Sequence, residues 1–424
     1  MIAILKREWK SYFQNITGWL FIAAVLALYG LYFLAYNLRA GYPYVSYTLS
    51  AISFIMLIAV PILTMRSMAE ERHSRTDQLV LTAPVSLGKM IFGKFLAMVG
   101  VFTVAVAVIA VTPLVLAAFG TVPMGENYVA VLGFWLYGCT CIAVGMLASA
   151  LTESQVIAAV VAFAFLFLGY MMNSITGLIG DHLITKVLGA YDLYTPLQSF
   201  MSGCLDLTGV VYFVSVTALC LFLTCQCVQK RRWSMTTKKL TTGMFSVAMI
   251  VVGFTVAVAV NMVVKEMPSS WTAVDATSTK LYSLTDTTKD YVKNLSQDVT
   301  IYVLSSEKSA DSTLAETLQR YEDLSKHLNV VYKDPAKSPN FYQQYTDSAP
   351  SQNSMIVVSD ARSRVVDYSD IYEYSYDYST YSSSVDGYDA EGQLTSALQY
   401  VTKADSELPV IYEITGHGEN TLSG

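Results

Sequence analysis

The sequence predicts an α-helical polytopic membrane protein of seven crossings that carries a C-terminal extracytoplasmic α/β domain. Three observations predict it. First, the 424 residues are 53% hydrophobic and only 14% charged, where a soluble globular chain carries about 25% charged residues. Second, seven segments are apolar over the roughly 20 residues of helix that a bilayer core about 30 Å thick requires. Third, the charge is divided. Residues 1–264 hold 15 Lys+Arg and 9 Asp+Glu, whereas residues 265–424 hold 12 and 24. Such an asymmetry suggests two parts in two environments.

The elements follow in order. Residues 1–16, MIAILKREWKSYFQNI, repeat apolar side chains near helical spacing among Lys6, Arg7 and Lys10. This fits a helix lying along the inner membrane surface. The crossings are 17–37, 45–65, 95–119, 127–150, 155–178, 208–228 and 242–264, with a cytoplasmic linker at 229–241. The first is too long and bulky for a cleaved signal and reads as a retained helix. The N-terminus and alternate loops hold 13 basic residues, including Arg66, Arg72, Arg75, Lys89 and Lys94. The intervening loops hold only Arg39 and Lys186. The N-terminus is therefore expected in the cytoplasm, and the acidic part, residues 265–424, outside. All six cysteines lie in the first part. Cys225 and Cys227 read as a buried thiol pair, and no disulfide framework exists in the second.

The stretch Leu87–Phe95, LGKMIFGKF, nearly spells a phosphate-binding loop: Gly88, Gly93 and Lys94 fit, but Phe95 stands where a metal-binding hydroxyl is needed. Pro84 interrupts any preceding strand, so an ATP site in this chain is not expected. Just before it, Glu70, Glu71, Arg72, His73, Arg75 and Asp77 crowd into eight residues between two apolar spans. Each such charge costs about 2.5–3.5 kcal/mol at mid-membrane, which puts the segment in the cytoplasm. A short charged helix with the greasy end Leu79–Leu81 suits docking into another protein, or is simply a solvated loop.

The run MRSMAEERHSRTDQLVLTAPVSLGKMIFGKF resembles the cytoplasmic segment of ABC-2 type transporter permeases, with Glu70, Glu71, Arg72, Thr76, Pro84, Gly93 and Lys94 in matching order. A second likeness is TPLQSFMSGCLDLTGVVYF at 195–213. There Phe200, Gly203, Asp206, Leu207 and Tyr212 match that family's outer re-entrant stretch before the last of six core helices. The resemblance implies an ABC-2 type permease domain over 17–228, with the helix at 242–264 an addition. It makes Glu70, Glu71, Arg72, Thr76, Asp77 and Pro84 the segment that contacts a separate ATPase subunit. ATP and Mg would sit on that partner, and no cofactor in this chain. Lys89 and Lys94 would mark where the third helix enters the lipid.

In the acidic part, Ser283 or Thr285 is placed to cap a helix ending near Leu295. DVTIYVLSS, NVVYKDP and SMIVVSD read as strands. Leu314, Leu318, Tyr321 and Leu324 share one face of a helix between them. Asp275, Tyr282, Ser283, Leu284, Val299, Tyr321, Asp334 and Pro335 resemble the auxiliary domain of gliding-motility-type (GldG-like) bacterial ABC systems, as does the strand before Thr415-Gly-His-Gly-Glu419. That domain continues well past this motif, so an incomplete domain is expected here. His417 and Glu419 form a possible outer-domain site, a base with its orienting acid, or else a glycine-rich turn. Tyr372, Tyr374, Tyr376 and Tyr378 alternate with polar residues. They read as an acidic low-complexity loop or edge strand, or as a platform of rings for a sugar or peptide.

The expected function is the membrane subunit of an ABC transporter, coupling ATP hydrolysis in a separate ATPase subunit to export or transmembrane work. Its expected partners are that ATPase, a second permease copy or homologue, membrane lipid and an unknown substrate or envelope protein, with no nucleic acid. An envelope-assembly device without net transport, and a membrane-tethered hydrolase using His417, are the rivals.

Overall fold

The computed structural model describes residues 2–74, 86–179, 188–230, 239–265, 267, 272–276, 283–306, 309–377 and 382–403. The chain forms two compact units, Met1–Tyr282 and Ser283–Gly424.

The first unit is helical. It begins with α1 (Ile2–Gln14), turns at Asn15, and continues as α2 (Ile16–Phe33), whose last turns widen into a π-helix at Leu34–Arg39. Then come α3 (Ser46–Thr64), α4 (Arg66–His73), α5 (Leu87–Ile109), α6 (Thr112–Ala117), α7 (Met124–Leu151) and α8 (Gln155–Ile179). After these come α9 (Thr195–Met201), the short strand β1 (Cys204–Asp206), α10 (Leu207–Lys230), α11 (Lys239–Lys265) and β2 (Ala273–Asp275). Among the described residues, seven helices are long and apolar enough to cross a membrane. In lipid a helix is the economical answer, because every backbone polar group is satisfied within the segment.

The core is organised by α7, which packs against α3, α5, α8, α9 and α10. Small residues on it permit close approach, as expected where apolar packing rather than water drives association. A Cβ at Gly133 would lie 2.3 Å from the Phe200 side chain, and one at Gly138 would lie 2.2 Å from the Phe102 ring. Two buried asparagines in the bundle are paired. Buried Asn127 accepts a hydrogen bond from Val45 N at 2.6 Å and donates to Pro43 O at 3.1 Å. Asn37 donates to Tyr42 O and Tyr44 O and accepts from Thr48. Two asparagines thus pin the connection between α2 and α3. Replacing Asn127 by Ala orphans a buried amide, a loss of about 1–3 kcal/mol. A lower melting temperature in detergent is expected, with half-exposed Tyr128→Ala close to wild type. Equal melting of the two variants would show that the staple carries no weight.

The second unit is an α/β fold. A four-stranded sheet has the order β4-β3-β5-β6, with β3 at Val299–Val303, β4 at Leu328–Tyr332, β5 at Met355–Ser359 and β6 at Ser363–Val366. β3 and β4 are parallel, connected through α13 (Ser312–Leu324); the β3–β5 and β5–β6 pairs are antiparallel. Alternation in β3 turns Val299, Ile301 and Val303 inward, against Leu314, Leu318 and Tyr321 of α13. Thr285 caps α12 (Asp286–Lys293) by accepting from Thr288 N. α14 (Ala390–Thr402) buries Leu394, Ala397, Leu398 and Val401; its helical spacing was present in the sequence but went unread. The Tyr-rich stretch forms an antiparallel hairpin of β7 (Tyr372–Asp377) and β8 (Ser382–Tyr388). A register shift between Glu373 and Tyr374 interrupts simple alternation there.

Asp367 organises a turn in this unit. Its carboxylate accepts from Ser351 N and Oγ, Ser354 Oγ, and Ser369 N and Oγ. Burial pushes its pKa up, but the hydrogen bonds from Ser351 and Ser369 outweigh that and hold it well below the usual range. A depressed folded pKa contributes stability above the unfolded value of about 3.9, lost as pH falls from there toward the folded value. The hydrogen-exchange protection factors of residues 349–371 in the full chain, taken against the intrinsic rate at each pH, should be flat above pH about 5 and fall below about 4. Asp367→Asn should show low protection throughout; a pH-independent wild-type protection would remove this role.

Candidate functional site

At one end of the first unit, charges converge on a joint. α3 contains Pro61, and Thr64 Oγ1 donates to Val60 O at 3.0 Å where the helix ends. The chain then restarts as α4. A new helix begins with orphan N–H groups, and Met65 at its N-cap has no side-chain oxygen to offer. Ser149, near the end of α7, supplies one: its Oγ accepts from Met68 N and Ala69 N, both at 3.1 Å, and donates to Met65 O at 3.0 Å. A cap from another helix fixes the joint to the bundle's central element.

Lys94 of α5 is 3% exposed, and its Nζ lies 2.7 Å from Glu71 Oε1 and 3.2 Å from Glu8 Oε1. It also donates to Ser67 O at 3.2 Å. Arg7 Nη2 adds contacts to Glu8 Oε1 at 2.5 Å and Glu71 Oε1 at 3.5 Å. Burial would raise the Glu8 pKa, but Lys94 and then Arg7 outweigh it and hold the carboxyl below its ordinary value. One ammonium therefore binds α1, α4 and α5 together. The Trp9 ring closes the same seat: a Cβ on Gly100 of α5 would fall 1.8 Å from it.

Of the expected coupling residues, Glu71 points inward to Lys94. Glu70 forms a two-point pair with Arg66, at 2.7 and 2.8 Å, and Arg72 reaches Glu153 between α7 and α8 at 2.6 Å. Glu71 and Arg72 thus hold α4 to its neighbours, while Glu70 braces α4 internally. His73 and Ser74 are exposed beyond them. Thr76, Asp77 and Pro84 lie outside the described residues, as do His417 and Glu419. The third crossing, expected from residue 95, starts earlier: α5 begins at Leu87, two turns before Lys94. The Lys94 charge is neutralised inside the protein by Glu8 and Glu71. The stretch Leu87–Phe95 is helix, which cannot present the backbone cradle of a phosphate loop. Glu8 and Ser149 were not singled out from the sequence. A lysine set among Ile91, Phe95 and Met98 was the available signal, since a buried cation demands a carboxylate.

The opposite end of α7 carries the second set. Phe200 is fully buried against Gly133 and Gly209. Gly203 takes φ +84° where α9 turns into β1, a conformation open to glycine at little cost. Asp206 Oδ1 accepts from Thr208 N at 2.8 Å and Thr208 Oγ1 at 2.6 Å, closing the first turn of α10. Here Phe200, Gly203 and Asp206 have packing and capping roles. Among the described residues no group of three or more His, Cys, Asp or Glu is placed to hold a metal ion.

Residues 39–228 match the family model described as ABC-2 family transporter protein. The seven apolar helices make the chain a multi-pass membrane protein, and its residues 39–228 are similar to the ABC-2 transporter family. Residues 278–371 match a domain of unknown function, DUF7088. No curated protein and no solved structure matches the chain.

Proposed function

We propose that this chain couples ATP hydrolysis by a separate ATPase subunit to export or other transmembrane work, as one half of a permease dimer. α4 and the residues after it form the coupling segment on the cytoplasmic side. The second unit lies outside, and recognises a substrate or envelope component in the manner of GldG-like auxiliary domains. The observation that carries the reading is the braced joint. α4 is tied to α1, α5 and α7 by Lys94 and Ser149, so a push on α4 reaches three helices at once. A packed, bistable assembly transmits such a push, where a loose loop would absorb it.

The orientation rests on the excess of Lys and Arg at the α1–α4 end. A photo-crosslinking residue at His73 tests both points. It should capture the ATPase subunit in membranes, with a yield that changes on adding ATP, while the same probe at Tyr42 should not. Capture at Tyr42 alone would reverse the topology and end this reading.

A further inference from the structure

The seventh crossing does not simply lead the chain away from the bundle. α11 lies along α10, where Asn261 Nδ2 donates to Ser215 Oγ at 2.7 Å and Gly253 faces the Phe222 ring. An amide in an apolar helix is a costly side chain unless a partner helix receives it. After α11 the chain folds back. β2 pairs antiparallel with β1 in the register Cys204↔Asp275, Leu205↔Val274 and Asp206↔Ala273. Ala276 N extends the ladder to Gly203 O at 3.2 Å. The return is close-fitted: a Cβ on Gly125, at the start of α7, would lie 2.5 Å from Ala276 O. Thr272 is buried at the same place.

We propose that β2 is a clip, fastening the strand that leads into the second unit onto the α9–β1–α10 corner. Two independent attachments, one within the apolar span and one at its end, make α10 and α11 a single lever. Asp206 serves both parts, pairing with Ala273 in the ladder and capping α10. Any displacement of α10 is then delivered to residue 276. A helix tethered by a slack linker would lose that motion. The inference requires neither an orientation in the membrane nor an ATPase partner, so it can fail or succeed separately from the proposed function.

The register supplies the test. Gly203 and Ala276 form a hydrogen-bonded pair, so Cys204 and Asp275 form the next, non-hydrogen-bonded pair, whose side chains stand closest. Asp275→Cys should therefore form a disulfide with native Cys204 under mild oxidation in membrane vesicles. A protease site placed in the 231–238 linker separates the halves, and a non-reducing gel shows whether they stay joined. Val274→Cys projects to the other face of the ladder and should link at least about tenfold more slowly, because disulfide geometry is narrow. Cys204→Ser with Asp275→Cys is the blank. Val274→Cys also reports folding, since it disturbs the same strand. Near-complete, register-specific linking supports the clip. Equal linking at 274 and 275, or no linking at either, overturns it.

Discussion

Lys94→Met is expected to lower stability and abolish coupling together. The substitution keeps the volume and removes the ammonium, leaving Glu8 and Glu71 facing each other at a site where both are mostly shielded from water. Breaking a buried ion pair on one side costs about 3–5 kcal/mol. Partial hydration of the two carboxylates and the nearby Arg7 put the expected loss near the lower end. The melting temperature in detergent should fall, and any stimulation of ATP turnover in the ATPase subunit should disappear. Lys94→Met combined with Glu8→Gln and Glu71→Gln should restore much of the stability, because an apolar or neutral replacement of a whole buried cluster is often close to neutral. If coupling is carried by the charge contacts, the triple variant stays uncoupled while folding well. A single variant that melts like wild type would show that the cluster is ornamental.

Ser149→Ala should have the next largest effect, for a different reason. It removes one hydroxyl that accepts from two N–H groups and donates to one carbonyl at the α3–α4 joint, and leaves Met68 N, beyond the reach of the first turn's own bonds, without its partner. Each buried group left without a partner costs about 1–3 kcal/mol, and the joint can relax to recover part of that. Hydrogen exchange at residues 66–73 should accelerate far more than exchange in the middle of α7. Ser149→Thr, which retains the oxygen, should lie much closer to wild type, provided the extra methyl fits. Uniform acceleration across α7 would mean that the serine supports general packing instead of capping α4.

The apolar spans were legible because length and hydropathy are written locally, residue after residue. The helices at 16–39, 46–64 and 124–151 lie within a few residues of where composition places them. The third was read eight residues short, because Lys89 and Lys94 looked like an end. In the folded chain Lys94 is buried by neighbours that come from residues 8 and 71. No local window contains those partners. The same limit hid Ser149: a serine in an apolar helix reads as a small residue, and its capping role exists only once α4 is beside it. In the second unit, β3, β4, β5 and α13 were read from alternation and helical spacing. β6 was not, since SRVV is too short to show a period; α14 does carry helical spacing, at Leu394, Ala397, Leu398 and Val401.

The seat of the N-terminal helix has a consequence for how the protein is made. Glu8 and Lys94 stand 86 positions apart, and the Trp9 ring rests on Gly100. The helix α1 is therefore made before its seat, and has no resting place until α5 has been synthesised and inserted. During that interval the amphipathic helix must lodge elsewhere, on the lipid surface or on an insertase. Its final docking reports that α1, α4 and α5 have come together.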